Sequence, residues 1–311
     1  MVQQKRKKKS KIQRFLALLL MIIIAVLACK SIIIPGVRHF FEKNGEDKTA
    51  ISSDSLHSPN AILIRLSDHT VLMQKKSEEE IYPASLTKMI TAIVAIENLS
   101  NLQEEIKLPN SMFQGLYDAD ATMAGFQPDE QVKAIDLLYG VLLPSGAECC
   151  IGLADQIAGS EQNFVKMMNQ KAADLGMNNT HFENVTGLHD KNHYTTVKDL
   201  AILLSYALQD DTFREIFTSS RYTTQLTNKH PDGIIFYSTM FEKLNDPSIV
   251  GGKILGGKTG YTDEAGLCLA SLAKEDGKEY VLVTVGAKGN QKSEQFNITD
   301  ALETYNSLGE K

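Results

Sequence analysis

The sequence predicts an α/β domain in which the N- and C-terminal segments form one antiparallel sheet around a central, mainly helical region. Three observations lead to this prediction. Strand patterns occur near residue 60 and again beyond residue 250, and helical periodicity dominates between them. An amphipathic pattern then closes the chain. With 311 residues, of which 43% are hydrophobic and 23% charged, the chain has ample material for such a core.

The first elements of the predicted domain are a hairpin and a helix. Apolar, β-branched patterns at residues 61–66 and 70–74 flank a polar turn and predict two paired strands. Pro83 follows, and because proline fixes its own φ and restricts the residue before it, the chain is not helical at that point. The apolar spacing beyond it predicts a helix from Ser85 to about Leu99.

The central region carries most of the helical periodicity. Residues 100–127 show mixed patterns, and Pro128 then provides a helix-start signal. Residues 143–147 form a sharp break between two helices, and Gly176 is placed as a helix C-cap. The predicted helices of this region cover residues 128–142, 148–157, 164–175 and 196–208.

The last third of the chain predicts strands followed by the closing helix. Residues 249–260 are rich in glycine, while residues 266–272 and 280–285 are dense in apolar and β-branched side chains. Residues 294–308 show the amphipathic pattern of a helix. We therefore expect the terminal strands to pair with the early hairpin in one sheet.

Charge and hydropathy set the N-terminal residues apart from the rest. The net charge is −6, but residues 1–14 hold seven basic groups and no acid, which leaves −13 for the remaining chain. An acidic body argues against nucleic-acid binding. The apolar span at residues 15–34 is long enough to cross a bilayer, with Lys30 snorkelling to the interface. Its basic flank predicts a cytoplasmic head at residues 1–14, and hence a cell-membrane protein whose catalytic domain is extracellular.

The same span admits a second interpretation as a cleaved signal peptide. The small residues just before Cys29 offer a cleavage site, and a lipid-modified Cys29 is a variant of that interpretation. The apolar residues that continue past Cys29 favour an uncleaved anchor. Residues 35–58 are polar and acidic and predict a linker, so that the folded domain covers residues 59–311.

The four cysteines show neither a Cys-x-x-Cys pair nor zinc-site spacing. We expect Cys149, Cys150 and Cys268 to be small buried hydrophobes, while a bridge from Cys268 to either of the other two stays open. His189 and His193 are four residues apart, but the sequence offers no third ligand beside them. No metal site is predicted.

The first motif with chemical meaning is Ser85-Leu-Thr-Lys88. Residues three apart on a helix share one face, so the serine hydroxyl and the lysine amine should meet. A serine becomes a good nucleophile when a neighbouring base takes its proton, and a desolvated lysine can be that base. On its own the pattern is common, and an ordinary helix start with an exposed lysine also fits it.

Two further motifs follow in order. Ser145-Gly-Ala147 lies on the predicted break between two helices. Lys258-Thr259-Gly260 lies on a predicted strand, where the ammonium and hydroxyl can orient a carboxylate and the glycine lets a backbone come close.

The backbone N–H groups of Ser85 and Tyr261 are the candidates for an oxyanion hole. Each motif alone is weak. All three in this order, behind an export segment, form a specific signal for acyl transfer by a serine nucleophile.

Four longer stretches resemble the serine D-alanyl-D-alanine carboxypeptidases of the low-molecular-weight penicillin-binding protein family, peptidase family S11. The similar region runs from about residue 59 to 290. The stretches are Tyr82–Thr91, Leu175–Leu188, His193–Ala201 and Gly257–Gly266. The resemblance implies the α/β fold shared by β-lactamases and DD-peptidases.

The resemblance also implies a two-step reaction on the terminal D-Ala-D-Ala of a peptidoglycan pentapeptide. Ser85 is then the nucleophile, Lys88 the base, and Ser145 the relay of a proton to the leaving D-alanine. Lys258 and Thr259 hold the terminal carboxylate, and water hydrolyses the acyl-enzyme. No metal or organic cofactor is implied, and β-lactams would acylate the same serine.

The chain departs from the family pattern at Ala147, where the family has asparagine. That amide normally bonds the substrate's peptide carbonyl and steadies the lysine. Loss of such a polar contact typically costs about 1–3 kcal/mol. We therefore expect a slower or differently tuned enzyme.

Three alternatives to ordinary wall maturation follow from these features. A β-lactamase of the same fold would need a deacylating glutamate between the second and third motifs, and no convincing Glu-x-x-Leu-Asn is present there. A membrane-anchored penicillin or peptide sensor without efficient turnover is favoured slightly by Ala147 and by the predicted anchor. A carboxypeptidase role in glycopeptide resistance is the third alternative, because trimming of D-Ala-terminated precursors also serves that resistance.

Overall fold

The computed structural model describes residues 51–309, which contain one six-stranded sheet and two small two-stranded sheets. The large sheet has the strand order β2-β1-β10-β9-β8-β7, and all its neighbouring strands are antiparallel. The strands are β1 (Asn60–Arg65), β2 (Val71–Lys75), β3 (Glu105–Lys107), β4 (Gln131–Lys133), β5 (Arg221–Thr223), β6 (Ile235–Tyr237), β7 (Ser248–Ile249), β8 (Gly252–Thr262), β9 (Gly266–Glu275) and β10 (Lys278–Ala287). The predicted α/β fold, with a sheet built from both ends of the domain, is confirmed.

The helices lie in the chain mainly between β2 and β7, and one closes the domain. Two short 3-10 segments, Ala84–Thr87 and Asn110–Met112, accompany them. The α-helices of the described residues are α1 (Lys88–Asn98), α2 (Phe113–Asp118), α3 (Ala134–Leu142), α4 (Ala147–Ala158), α5 (Glu161–Leu175), α6 (Val197–Ala207), α7 (Asp211–Thr218) and α8 (Phe296–Asn306). The predicted central helical region is therefore present.

The helix predicted to start at Pro128 begins six residues later than expected. Asp129 has a positive φ of 62°, which an L-residue in a right-handed helix does not adopt. The next three residues after Glu130 form β4, which pairs with β3, and α3 starts only at Ala134. The prediction of this helix start is wrong because residues 131–133 pair with β3 as a strand instead of forming the first turn of the helix.

Helices pack on both faces of the large sheet. The side chains of Leu63 and Leu282 join Ile298 and Tyr305 of α8 in one buried cluster. Side chains alternate along a strand, so Ile62, which precedes Leu63 on β1, points to the opposite face of the sheet. On that face α6 packs against β1 and β10. The sheet is thus a buried platform, and β8 near its edge carries the Lys258 motif.

The three cysteines of the described range are buried free thiols. Burial raises the pKa of Cys150 and of Cys268 to about 12. This agrees with their prediction as small buried hydrophobes, and Cys268 bridges neither Cys149 nor Cys150.

The predicted N-terminal segments fall largely outside the described residues. The basic head at residues 1–14, the span at 15–34 and most of the linker at 35–58 precede residue 51, and they stay predictions. Between residues 51 and 309, the structure contains no helix with the length and apolarity that a membrane span requires.

Candidate active site

Ser85 lies in a tight turn rather than in a regular helix. The turn is the 3-10 segment Ala84–Thr87, and α1 begins directly after it at Lys88. Ala84 has a φ of 46°, a backbone conformation that costs energy for any residue with a Cβ. Such a turn persists only where its surroundings hold it, and here they do.

The peptide bond between Ala84 and Ser85 is held by side chains behind the turn. The Thr87 hydroxyl donates to the Ala84 carbonyl oxygen at 2.8 Å. His193 Nε2 lies 2.8 Å from the same hydroxyl, while its Nδ1 accepts from the backbone N–H of Glu183 at 3.2 Å. His193 is therefore neutral with its proton on Nε2, and burial lowers its pKa to about 4.

Lys88 meets Ser85 as the three-residue spacing predicts. Its Nζ donates to Ser85 Oγ at 3.2 Å and to the backbone carbonyl oxygen of Thr186 at 2.7 Å. The side chain is buried, and this desolvation lowers the pKa of Lys88. A lysine with a lowered pKa beside a serine hydroxyl can act as its base. The Thr186 contact was not predicted, because backbone carbonyl oxygens leave no pattern in a sequence.

Ser145 and Lys258 form a second pair close to the first. Ser145 lies between α3 and α4 with a φ of 70°. Lys258 on β8 is fully buried, and its Nζ donates to Ser145 Oγ and to the Thr259 carbonyl oxygen, both at 2.8 Å. Burial, with a further contribution from the nearby Lys88, lowers the pKa of Lys258. A proton can therefore pass between Lys258 and Ser145.

Strand β8 runs beside the turn that carries the nucleophile. A Cβ on Gly260 would lie 3.1 Å from the Ser85 nitrogen, a tighter contact than most Cβ atoms make, so glycine favours this close packing. Next to it, the Thr259 hydroxyl lies 2.7 Å from the hydroxyl of Thr239. This brings Thr259, Gly260 and Tyr261 to the same cleft as Ser85.

Two cavities meet at Ser85. The larger, of about 600 Å³, is lined by Lys88, Ala147 and Thr186, and the smaller, of about 310 Å³, by Ser145, Thr259 and Gly260. Both cavities share the lining residues Ser85, Thr122, Tyr261, Gln291 and Lys292. An extended ligand can therefore lie across the nucleophile with one part on each side.

Glu148 is buried directly beside the cleft but faces another chain segment. Its Oε1 accepts hydrogen bonds from the backbone N–H groups of Ala124, Gly125 and Phe126 at 2.7, 2.9 and 3.3 Å. Desolvation raises the pKa of the carboxyl group. Sequence reasoning did not anticipate this contact.

The chemistry of the described site is that of the amines of Lys88 and Lys258, the hydroxyls of Ser85, Ser145 and Thr259, and backbone groups. Residues 51–309 contain no cluster of three or more histidine, cysteine, aspartate or glutamate side chains that could hold a metal ion. His189 contacts Tyr82 edge to face with a centroid distance of 4.7 Å, and its Nδ1 lies 3.7 Å from Glu264.

Two curated proteins with similar sequences are both D-alanyl-D-alanine carboxypeptidases. D-alanyl-D-alanine carboxypeptidase DacF of Bacillus subtilis (strain 168) is 30% identical over 271 residues, which cover 85% of this chain and 65% of that protein. D-alanyl-D-alanine carboxypeptidase DacC of Escherichia coli (strain K12) is 31% identical over 266 residues, covering 82% and 62%. The chain thus spans less than two thirds of the length of these relatives.

Solved structures show the same fold. The DD-transpeptidase of Streptomyces K15 superposes with a TM-score of 0.72 at 24% identity, covering 83% of this chain and all of that one. Penicillin binding protein 5 from Haemophilus influenzae gives a TM-score of 0.71 at 25% identity, covering 82% and 71%.

A family model supplies the assignment. The model described as D-alanyl-D-alanine carboxypeptidase matches residues 47–289, which is well over half of the chain and includes all three motifs. The chain therefore belongs to the D-alanyl-D-alanine carboxypeptidase family, peptidase family S11.

Proposed function

We propose that the protein is a serine D,D-carboxypeptidase that removes the terminal D-alanine from peptidoglycan stem peptides through an acyl-enzyme. The observation that carries the proposal is the hydrogen bond from Lys88 Nζ to Ser85 Oγ at the point where two cavities meet. Family membership and the activity named for the relatives support it.

In the first step, Ser85 Oγ attacks the carbonyl carbon between the two D-alanines. Lys88 Nζ takes the hydroxyl proton, and its lowered pKa makes the neutral amine accessible. The negative charge that forms on the carbonyl oxygen is stabilised by the backbone N–H groups of Ser85 and Tyr261. The oxyanion-hole donor on Ser85 belongs to the same peptide plane as the Ala84 carbonyl that Thr87 holds.

In the second half of this step, the C–N bond breaks and D-alanine leaves. Its nitrogen takes the proton of Ser145 Oγ, and Lys258 Nζ, which donates to that oxygen, replaces the proton. The product is an ester between Ser85 and the shortened peptide. This assignment explains why Ser145 and Lys258 form a hydrogen-bonded pair on the side of the smaller cavity.

The terminal carboxylate binds in the smaller cavity at Lys258 and Thr259. An anion beside Lys258 favours its charged form and so counteracts the desolvation that lowers its pKa. The Thr259 hydroxyl adds a directional hydrogen bond, and Thr239 at 2.7 Å orients it. A substrate without a free C-terminal carboxylate should therefore react poorly.

Before the second step, Lys88 gives its extra proton to solvent and Lys258 regains one from solvent, so both amines return to their starting forms. Water then attacks the ester carbonyl and gives a proton to Lys88, which passes it to Ser85 Oγ as the ester bond breaks. β-Lactams react by the same first step, because their strained amide places a carbonyl carbon before Ser85. The acyl group then blocks the site until water removes it. We therefore propose β-lactams as covalent inhibitors.

The Lys88–Thr186 contact supports activity in spite of Ala147. The family's asparagine steadies the lysine through its amide, as the resemblance implies. Here the Thr186 carbonyl oxygen accepts from Lys88 at 2.7 Å, so the amine has a fixed position without the amide. Turnover is then slowed rather than abolished.

The location of the protein forms a separate part of the proposal. We place it in the cell membrane, held by a single anchor at residues 15–34, with the catalytic domain outside the cell. The support is the sequence alone: the apolar span and its basic flank. Extraction with alkaline carbonate and protease digestion of intact cells test both points. Release into the alkaline supernatant, or full protection from protease, would contradict them.

The activity has a direct test. Purified full-length protein is incubated with diacetyl-Lys-D-Ala-D-Ala, and released D-alanine is measured beside the Ser85→Ala variant. We expect release by the wild type alone. An inactive wild type would refute the function, and equal release by both proteins would refute the nucleophile.

Ala147 favours one second candidate, a penicillin or peptide sensor that acylates but does not turn over. This candidate predicts a fluorescent penicillin label that persists for hours without release of D-alanine. The carboxypeptidase predicts measurable turnover of the peptide. A role in glycopeptide resistance, rather than in wall maturation, would appear as lower resistance in a deletion strain with unchanged cell shape.

A further inference from the structure

Because Ala147 stands where the family has asparagine, no residue has yet been assigned to bond the substrate's peptide carbonyl. That amide both steadies the lysine and bonds the substrate's peptide carbonyl, as the resemblance implies. The first role is taken by the carbonyl oxygen of Thr186, which Lys88 contacts at 2.7 Å. A donor for the substrate carbonyl is still needed, and Ala147 lines the larger cavity with only a methyl group.

Thr122 is the hydroxyl residue next to this position. Its backbone carbonyl oxygen accepts from the N–H of Ala147 at 2.8 Å, so the two residues are direct neighbours across the cleft wall. Thr122 lines both cavities, as Ser85 does. Within residues 51–309 its hydroxyl has no hydrogen-bond partner, so it is available to a ligand.

The segment that carries Thr122 is fixed to α4. Glu148 Oε1 accepts from the backbone N–H groups of residues 124–126, which begin two positions beyond Thr122. A Cβ on Gly146 would clash with Ala124, which shows how closely this segment packs on the start of the helix. The hydroxyl of Thr122 is therefore presented by a backbone that is tied to residues 146–148, the segment that contains position 147.

We propose that Thr122 is a substrate-binding residue whose hydroxyl donates a hydrogen bond to a peptide carbonyl oxygen of the stem peptide, in place of the missing amide at Ala147. The proposal rests on the proposed carboxypeptidase function. It divides the two roles of one family residue between a backbone carbonyl, which holds Lys88, and a hydroxyl on the neighbouring segment, which holds the substrate.

A double-mutant cycle tests the proposal. The kcat and KM for D-alanine release are measured for the wild type, Thr122→Val, Ala147→Asn and the double variant. Valine keeps the shape and the backbone carbonyl but removes the donor. We expect Thr122→Val to lower kcat/KM about tenfold, the effect of one lost hydrogen bond. In the Ala147→Asn background the same change should cost less than about twofold, because the introduced amide then makes the contact.

Three controls separate binding from structural damage. Thr122→Ser keeps a hydroxyl and should recover most of the loss. Thr299→Val makes the same chemical change at a residue of α8 that lines neither cavity, and it should leave kcat/KM unchanged. Gln291→Ala is made in the wild-type and Ala147→Asn backgrounds. Apart from Ser85 and from Tyr261, whose hydroxyl donates to Asp263, Gln291 is the other uncharged polar side chain common to both cavities. Unfolding midpoints of all variants are recorded in parallel.

The outcomes are distinct. An unchanged kcat/KM in Thr122→Val, or an equal loss in the wild-type and Ala147→Asn backgrounds, contradicts the proposal. A loss that differs between the two backgrounds for Gln291→Ala but not for Thr122→Val assigns the contact to Gln291 and also contradicts it. A wild type that releases no D-alanine refutes the proposed function instead. The cycle is then read from the rate at which benzylpenicillin, which carries a side-chain amide carbonyl, acylates Ser85.

Discussion

Replacing Gly187 with alanine should displace the peptide bond that presents Ser85. Gly187 has a φ of 81° and faces the turn that carries the nucleophile. An ideal Cβ at this position would overlap the carbonyl oxygen and carbon of Ala84 and lie 2.9 Å from Thr87 Oγ1. The Ala84 carbonyl and the Ser85 N–H belong to one rigid peptide plane, so movement of the carbonyl moves the proposed oxyanion-hole donor.

The structure allows the size of the effect to be worked out. An alanine at positive φ costs about 1–2 kcal/mol wherever it is placed. At Gly187 the overlap adds a displacement on the order of 1 Å, and an error of that size in an active site can lower the rate about 100-fold. The stability loss should therefore exceed about 2 kcal/mol, and the rate of Ser85 acylation should fall about 100-fold.

Gly159 provides the matched control. Its φ is 74°, close to that of Gly187, but a Cβ there would have no neighbouring atom within 4 Å among the described residues. Gly159→Ala should therefore cost only the backbone strain of about 1–2 kcal/mol and leave acylation unchanged. Both variants are compared by urea unfolding and by the rate of labelling with a fluorescent penicillin.

The reasoning would be refuted by equal behaviour of the two variants. If Gly187→Ala and Gly159→Ala lose the same stability and keep the same labelling rate, the carbonyl of Ala84 does not set the position of Ser85. If both lose labelling, the effect is not local to the nucleophile turn. Either result would remove the link between backbone strain at Ala84 and reactivity.

Three further predictions follow from buried groups near the cleft. Because burial lowers the pKa of Lys88, the rate of acylation should increase as the pH rises through a value below 10.5. Lys88→Arg stays charged and should abolish acylation. A retained rate in Lys88→Arg would exclude Lys88 as the base. Burial gives His193 a pKa of about 4 in the folded state, against 6.5 when unfolded. The free energy of unfolding should therefore fall by up to about 3 kcal/mol as the pH drops from 6.5 to about 4. In urea titrations, His193→Gln should make the free energy of unfolding less dependent on pH. Glu148→Ala leaves three N–H groups without an acceptor and should cost about 1–3 kcal/mol in urea unfolding, whereas Glu148→Gln keeps an acceptor oxygen and should cost less.

Elements with strong local patterns were predictable from the sequence. The β9 and β10 strands are dense in apolar residues, and Gly176 has the left-handed conformation expected of a C-cap at the end of α5, although α5 begins at Glu161, three residues before the predicted start. The Ser85–Lys88 contact followed from residue spacing alone. In each of these cases the information lies within a few neighbouring residues.

Features that depend on distant chain segments were not predictable in this way. The start of α3 was misplaced because β4 pairs with β3, about 25 residues earlier in the chain. The contact of Lys88 with the Thr186 carbonyl joins positions 98 residues apart and involves a backbone atom, which any residue type supplies. The contact of Glu148 with residues 124–126 is of the same kind.

The central claim is that Ser85 forms the acyl-enzyme, and mass spectrometry of the penicillin adduct tests it most directly. The full-length protein is treated with benzylpenicillin, digested and sequenced by fragmentation. We predict one adduct, on Ser85, which is absent from Ser85→Ala and from Lys88→Arg. An adduct on Ser145 or on any other residue, or an adduct that persists in Ser85→Ala, would contradict the claim.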